Sequence, residues 1–365
     1  MKVAIVHYWL VNMRGGEKML EALLDLFPEA DIYTHVYDPT GISAQINSHR
    51  IYTSSINRLP FARRLYQKYM PLMPGALTEF NLQAYDLIIS SEAGPAKGVV
   101  PHPDAYHICY CHSPMRYLWD LYHDYFRKSN WVIRFFMKKL IPSLRVWDIT
   151  SSNMVDRFVT NSHYVAKRIR RYYRREAEVV FGPVAVEKYT ARERKPEDFY
   201  LFFGQITEYK RADIAIEACI ASGRRILVAG SGARKKDIRC YQKSPLVQFL
   251  GRVDDEELAG LFSRARALLF PGIEDLGLVP IEANAAGCPV IAFRQGGALD
   301  TVKEGVTGLF FDEQSPAALV RAMDRFEEIE TSFSARNVFT EHAAQFSREA
   351  FKGRIMRIIN EKKRV

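Results

Sequence analysis

The sequence predicts two doubly wound α/β domains in tandem, on three observations. At 365 residues the chain is too long for one ordinary core and suits two. Short apolar runs alternate with amphipathic stretches of helical spacing, the pattern of a parallel sheet covered on both faces. That pattern restarts after a polar stretch in the middle of the chain.

In the first series, residues 2–10 form an apolar run fit for a strand buried on both faces. The run is short, lacks a cleavage pattern and leads into Gly15-Gly16, so it reads as a first strand and not a signal peptide. A helix follows over residues 17–27, with Met19, Leu20, Leu23, Leu24 and Phe27 on one face. Further strands are expected at 31–37, 86–90, 106–111, 158–160 and 179–181. The second series places strands at 200–203, 225–229, 247–250, 267–270, 290–293 and 308–311, with helices such as 211–221 and 255–264 between them. Residues 186–198, VEKYTARERKPED, are polar and aperiodic and read as the linker. The division is therefore residues 1–185, a linker at 186–198, a second domain at 199–345 and a closing amphipathic helix at 346–365. Domains of this type bind ligands beyond the carboxyl ends of their strands, and two in tandem face each other across a cleft.

Composition narrows the class. Hydrophobic residues make up 48% and charged residues 25%, as in ordinary globular proteins. No uncharged apolar run reaches the ~18 residues of a membrane-spanning helix. The five cysteines, Cys109, Cys111, Cys219, Cys240 and Cys288, are scattered and odd in number, which argues against a disulfide framework and for a reducing compartment. The net charge of +9 calls for an acidic partner. Cations mix with aromatics at residues 58–73 and 127–145, and arginines cluster at 168–175, which fits an anionic membrane surface. The other reading of these stretches is solvated helix faces. No nucleic-acid-binding motif is present.

The strongest motif follows the strand at 267–270. Pro271-Gly272 leads to Glu274, then to Leu276-Gly277-Leu278 and a helix bearing Glu282. A loop entering a helix amino terminus offers N–H donors and a positive dipole end to a phosphate, here from Leu276, Gly277 and Leu278. Glu274 suits sugar hydroxyls and Glu282 suits a ribose. A strand ends at Gly204, and two cations, Lys210 and Arg211, sit at the start of the next helix. Gly15 and Gly16 permit close backbone approach to a ligand. Gly230, Arg252 and Val253 lie in loops fit for a nucleoside. His112, just past a strand, suits a sugar hydroxyl or an acceptor proton, and Arg116 and Asp120 are candidate acceptor contacts. Zinc at His107, Cys109, Cys111 and His112 is disfavoured, since the spacing does not follow C-x2-C.

Glu274 and Glu282, seven residues apart within FPGIEDLGLVPIEANAAGCPVIAF, resemble the E-x7-E motif of the retaining glycosyltransferases of family 4, which have the GT-B fold. CHSPMRYLWDLYHDY, FVTNSHYVAKRIRRYY, YDLIISS and YMPLMP resemble the mannosyltransferase branch that builds bacterial surface polysaccharides. The resemblance implies a metal-independent, retaining hexosyltransferase, with no cofactor beyond its sugar-nucleotide substrate. GDP-mannose is the implied donor and a lipid-linked saccharide the implied acceptor. It also implies a cytoplasmic protein, peripheral on the inner face of the plasma membrane. Lys210 is implied at the diphosphate, Glu274 at the sugar without a nucleophilic role, Gly15-Gly16 beside diphosphate and acceptor, and His112 at the sugar. Two departures stand out: Gln205 replaces the family's usual arginine, and Glu92-Ala93 stands where relatives carry Ser-His. The alternatives are a UDP-sugar or GDP-deoxyhexose donor, a GT-B epimerase, and a non-catalytic basic adaptor.

Overall fold

A computed structural model describes residues 1–190, 192–232, 240–334 and 336–362. Its contacts divide the chain into two units, Met1–Gly182 with Arg354–Val365, and Pro183–Gly353.

The first unit holds a seven-stranded sheet of β1 (Val3–His7), β2 (Asp31–Thr34), β3 (Ile51–Thr53), β4 (Leu87–Glu92), β5 (Tyr106–Cys111), β6 (Arg157–Thr160) and β7 (Ala177–Val179). The order is β3-β2-β1-β4-β5-β6-β7, parallel throughout. All five residues of β1 are buried, because helices cover both faces of a parallel sheet. The chain builds outward from β1 to β3 and then starts again at β4 on the other side. The loops after β1 and β4 therefore part in opposite directions, which makes this the binding point of the sheet. β3 escaped the sequence reading because its residues are half-buried or exposed and form no apolar run.

The second unit repeats the plan with β8 (Tyr200–Phe203), β9 (Ile226–Ala229), β10 (Val247–Gly251), β11 (Leu268–Phe270), β12 (Val290–Phe293) and β13 (Gly308–Phe311). The order is β10-β9-β8-β11-β12-β13, again parallel. The period of two splits the core: Leu201, Leu227, Leu268 and Val290 pack on one face, and Tyr200, Phe202, Ile226, Val228, Leu269 and Ile291 on the other.

Residues 186–198 are not a linker. Tyr189 is buried in the second core, Lys188 and Arg192 pair with Asp255 and Glu256, and Arg194 donates to the Phe262 and Arg266 carbonyls. Their polar composition reflects charge pairing on the surface of that unit. The division falls instead at Gly182–Pro183. The last helix, Arg348–Lys362, begins in the second unit and ends in the first. There Arg357 pairs with Glu178 at 3.1 Å and the Lys362 ammonium lies 4.5 Å over the Tyr106 ring.

A buried charge cluster anchors the first unit. Lys97, fully buried, pairs with Asp148 and lies 3.2 Å from Glu92. Tyr173 and Trp119 donate to Asp148 at 3.0 and 2.8 Å. Burial alone would lower the Lys97 pKa, but the two carboxylates outweigh it and raise it. Glu92 also accepts the Lys97 backbone N–H at 2.9 Å, so this departure from the family pattern is a structural residue. Asp148 ties down the end of the 21-residue helix Trp131–Ser151, whose outer residues Trp131, Phe135 and Phe136 are 80%, 52% and 54% exposed. Cys109, Cys111, Cys219 and Cys288 are buried and Cys240 is exposed, and none of the five is in a disulfide among the described residues.

Candidate active site

In the second unit, glycines bring the strand ends together. The Gly204 N–H donates to the Ala229 carbonyl, and the Gly230 N–H donates to the Gly251 carbonyl at 2.6 Å. Gly230 has φ +132°, and a Cβ there would fall 1.9 Å from the Gly204 carbonyl oxygen. Gly272 lies against the Tyr209–Lys210 backbone, where a Cβ would meet Lys210 Cα at 2.8 Å. This close approach sets Lys210 beside the loop after β11, and its ammonium reaches Glu274 Oε1 at 2.6 Å. Both side chains are largely buried, so the designated cation and carboxylate share one small polar site.

Glu274 is held by its backbone. Its carbonyl accepts from the Gly297 N–H at 2.9 Å, and a Cβ on Gly297 would strike Leu276. Gly277, at φ +81°, then opens the eight-residue helix Leu278–Ala285, and no side chain caps it. Its first N–H groups suit an anion. Leu276 is buried and Leu278 half-buried, so these two contribute backbone only. Glu282 stands beside Tyr189, whose hydroxyl is pushed up in pKa by burial and then by that carboxylate. Arg252 and Val253, with Arg192, Leu250, Asp254 and Glu257, border a depression of about 570 Å³.

Arg211 does not join Lys210. It adopts the left-handed conformation, φ 54°, at the start of helix Ala212–Ala221, and its guanidinium grips Asp213 at 2.9 to 3.1 Å. Lys210 alone of the pair meets Glu274. The charge at Arg211 is neutralised by a carboxylate two residues on.

In the first unit, Gly15 and Gly16 open the helix Gly15–Leu26 at the end of β1. A Cβ on Gly16 would meet the Tyr8 hydroxyl at 3.0 Å and His7 at 3.4 Å. His112 follows β5, its ring 3.1 Å from Ser91 Oγ. Burial and the neighbouring His7 push its pKa down to about 3, so the ring is neutral. Asp120 is exposed, and its Oδ1 pairs with buried Arg168 at 2.6 Å. Arg116 is half-buried, and its carbonyl accepts the Trp119 and Leu121 N–H groups of a turn. His107 uses both ring nitrogens, on Ser90 Oγ and the Met154 carbonyl, each at 2.8 Å. Among the described residues no cluster of three or more His, Cys, Asp or Glu is placed to hold a metal ion. His7, Ser91 and Glu17 cluster here as well, and sequence reading did not single them out. They meet across 84 residues of chain, a separation that leaves no local signal.

Two Rossmann-like domains, each built on a parallel sheet, are the architecture of the GT-B fold. Residues 186–352, most of the second unit, match the family described as glycosyl transferases group 1. An uncharacterized glycosyltransferase of Methanocaldococcus jannaschii is 30% identical over 138 residues, 35% of each chain. The D-rhamnosyltransferase WbpZ of Pseudomonas aeruginosa is 28% identical over 188 residues, 46% of this chain and 49% of that one. The chain thus spans about a third to a half of the length of these relatives. In fold, Anabaena HepE in complex with UDP aligns with a TM-score of 0.71 and 16% identity, covering 99% of this chain and 100% of that one.

Proposed function

We propose that the protein is a retaining, metal-independent hexosyltransferase that moves mannose from GDP-mannose onto a lipid-linked saccharide in bacterial surface-polysaccharide synthesis. The observation that carries this reading is the Lys210–Glu274 pair at the entrance to an uncapped helix, inside the group 1 domain. Lys210 and the N–H groups after Gly277 stabilise the charge that develops on the leaving diphosphate. Glu274 orients the sugar through its hydroxyls, and Glu282 takes the ribose. Attack on the same face, with the leaving phosphate as base, retains configuration.

A second donor class has its own support. The structural neighbour from Anabaena is in complex with UDP, and the Pseudomonas relative is named for transfer of rhamnose, a deoxyhexose. Thermal shift with GDP, UDP, GDP-mannose and UDP-sugars separates these readings. Stabilisation by GDP and GDP-mannose is expected, and stabilisation by UDP alone overturns the GDP-mannose assignment. Glu274→Ala is expected to abolish transfer with the melting profile unchanged. Transfer near the native rate would remove Glu274 from the site.

The acceptor is reached from the inner face of the plasma membrane. Exposed Trp131, Phe135 and Phe136 beside Arg134, Lys138 and Lys139 support contact with an anionic bilayer. Flotation with phosphatidylglycerol vesicles is expected. It should be lost in a Trp131→Ser, Phe135→Ser, Phe136→Ser variant.

A further inference from the structure

Four side chains form a line at the carboxyl ends of β1, β4 and β5. Glu17 Oε1 lies 3.5 Å from His7 Nε2, His7 Nδ1 lies 3.0 Å from Ser91 Oγ, and Ser91 Oγ lies 3.1 Å from His112 Nε2. The sheet register puts His7 directly beside Ser91 and Glu92 beside Cys111, the residue before His112. Glu17, His7 and Ser91 are fully buried, and His112 is the member that solvent reaches. Its Nδ1 carries no hydrogen bond among the described residues. The line therefore leads from a buried carboxylate to one half-exposed imidazole at the binding point of the sheet.

The polarity of the line follows from its buried end. Glu17 stands in the first turn of the helix Gly15–Leu26, and its Oε2 accepts the Arg14 N–H at 2.9 Å. Burial would raise its pKa, but His7 and the backbone N–H groups of Glu17 and Arg14 hold it lowered. The helix amino terminus adds to that stabilisation of the carboxylate. A carboxylate only accepts, so the tautomer that suits the 3.5 Å approach carries the proton on His7 Nε2, facing Glu17, and presents a lone pair at Nδ1. Ser91 has one hydroxyl proton and gives it to His7. Its oxygen then accepts from His112 Nε2–H, and the remaining lone pair of His112 is on Nδ1.

We propose that Glu17, His7 and Ser91 are positioning residues that fix His112 as its Nε2–H tautomer, making Nδ1 a hydrogen-bond acceptor for a substrate hydroxyl. The hydroxyl half of this proposal rests on the glycosyltransferase reading, whereas the tautomer half does not. Glu17→Gln separates it from a merely structural role. The amide carbonyl takes the Arg14 N–H, which turns the amide NH2 toward His7 Nε2. Each donor along the line then reverses, and His112 ends with its proton on Nδ1.

The test is long-range 1H–15N correlation on histidine-15N-labelled full-length protein, read at the two ring nitrogens of His112. Nε2–H is expected in the native chain, Nδ1–H in Glu17→Gln, and no response to Glu17→Gln when Ser91→Ala is already present. Nδ1–H in the native chain, or an unmoved His112 in folded Glu17→Gln, overturns the relay. If Glu17→Gln fails to fold, Ser91→Ala alone decides: His112 must lose its single tautomer and become a mixture. In turnover, Glu17→Gln should lower kcat about tenfold, the value of one ordinary hydrogen bond, with the donor KM unchanged. A tautomer switch with native kcat overturns the hydroxyl contact. A native chain that has the expected tautomer but transfers no sugar overturns the glycosyltransferase reading and leaves the relay standing.

Discussion

The two units present the same topology and build their strand-end sites from opposite materials. In the second, backbone does the positioning: Gly204, Gly230, Gly272 and Gly297 let loops touch, and only Lys210 and Glu274 add charge. In the first, buried side chains do it: the histidine line, and Lys97 with Glu92 and Asp148. A backbone site tolerates no added atom, and its glycines carry nothing to titrate. A side-chain site is sensitive to protonation throughout.

The sharpest way to test that contrast is acid. Burial pushes His35 and His107 down to about 4 from an ordinary 6.5. Such groups are neutral in the folded chain and gain a proton on unfolding. Their effect is absent above pH 6.5, grows as pH falls toward 4, and costs on the order of several kcal/mol for the two together. Both belong to the first unit, while the second has one histidine, His342, also lowered. Calorimetry between pH 7 and 4.5 should show the first unit's transition falling well ahead of the second's. Parallel decline would erase the contrast.

Lys97→Met comes next. It leaves two buried carboxylates without a cation and should cost about 3–5 kcal/mol by urea melting, confined to the first unit. Lys210→Ala should lower kcat by about 10² to 10³ with the fold intact. Gly230→Ala probes the backbone side. The clash with Gly204 should cost about 1–3 kcal/mol in the second unit and weaken nucleotide binding. A native melting point would mean the loops yield freely. Arg211→Ala is the smallest: with its guanidinium held by Asp213, donor affinity should change by less than about threefold, within the few tenths of a kcal/mol expected of exposed pairs. A loss as large as that of Lys210→Ala would show that Arg211 leaves Asp213 for the diphosphate.

The same contrast explains what was legible beforehand. The strands of the second unit, its Gly-rich loops and the Glu274–Glu282 spacing are local in sequence, so reading residues in order finds them. His7, Ser91 and Glu17 carry no such pattern; only the β1–β4 register joins the first two. Polarity misled at residues 186–198, because ion pairs look like a linker until their partners on helix Asp255–Arg264 are seen. Arg211 follows a related rule: proximity in sequence to Lys210 says nothing about which way a guanidinium turns, and here it turns to Asp213. Asp120 likewise meets Arg168 from 48 residues away, a pairing with no local signal.

The cysteines offer a practical consequence. Four thiols are sealed inside the two cores, and Cys240 lies at the surface of the second unit. A maleimide fluorophore added to the native chain should therefore attach at one place, with no cysteine engineered in or out. Such a label would give the second unit an optical handle of its own.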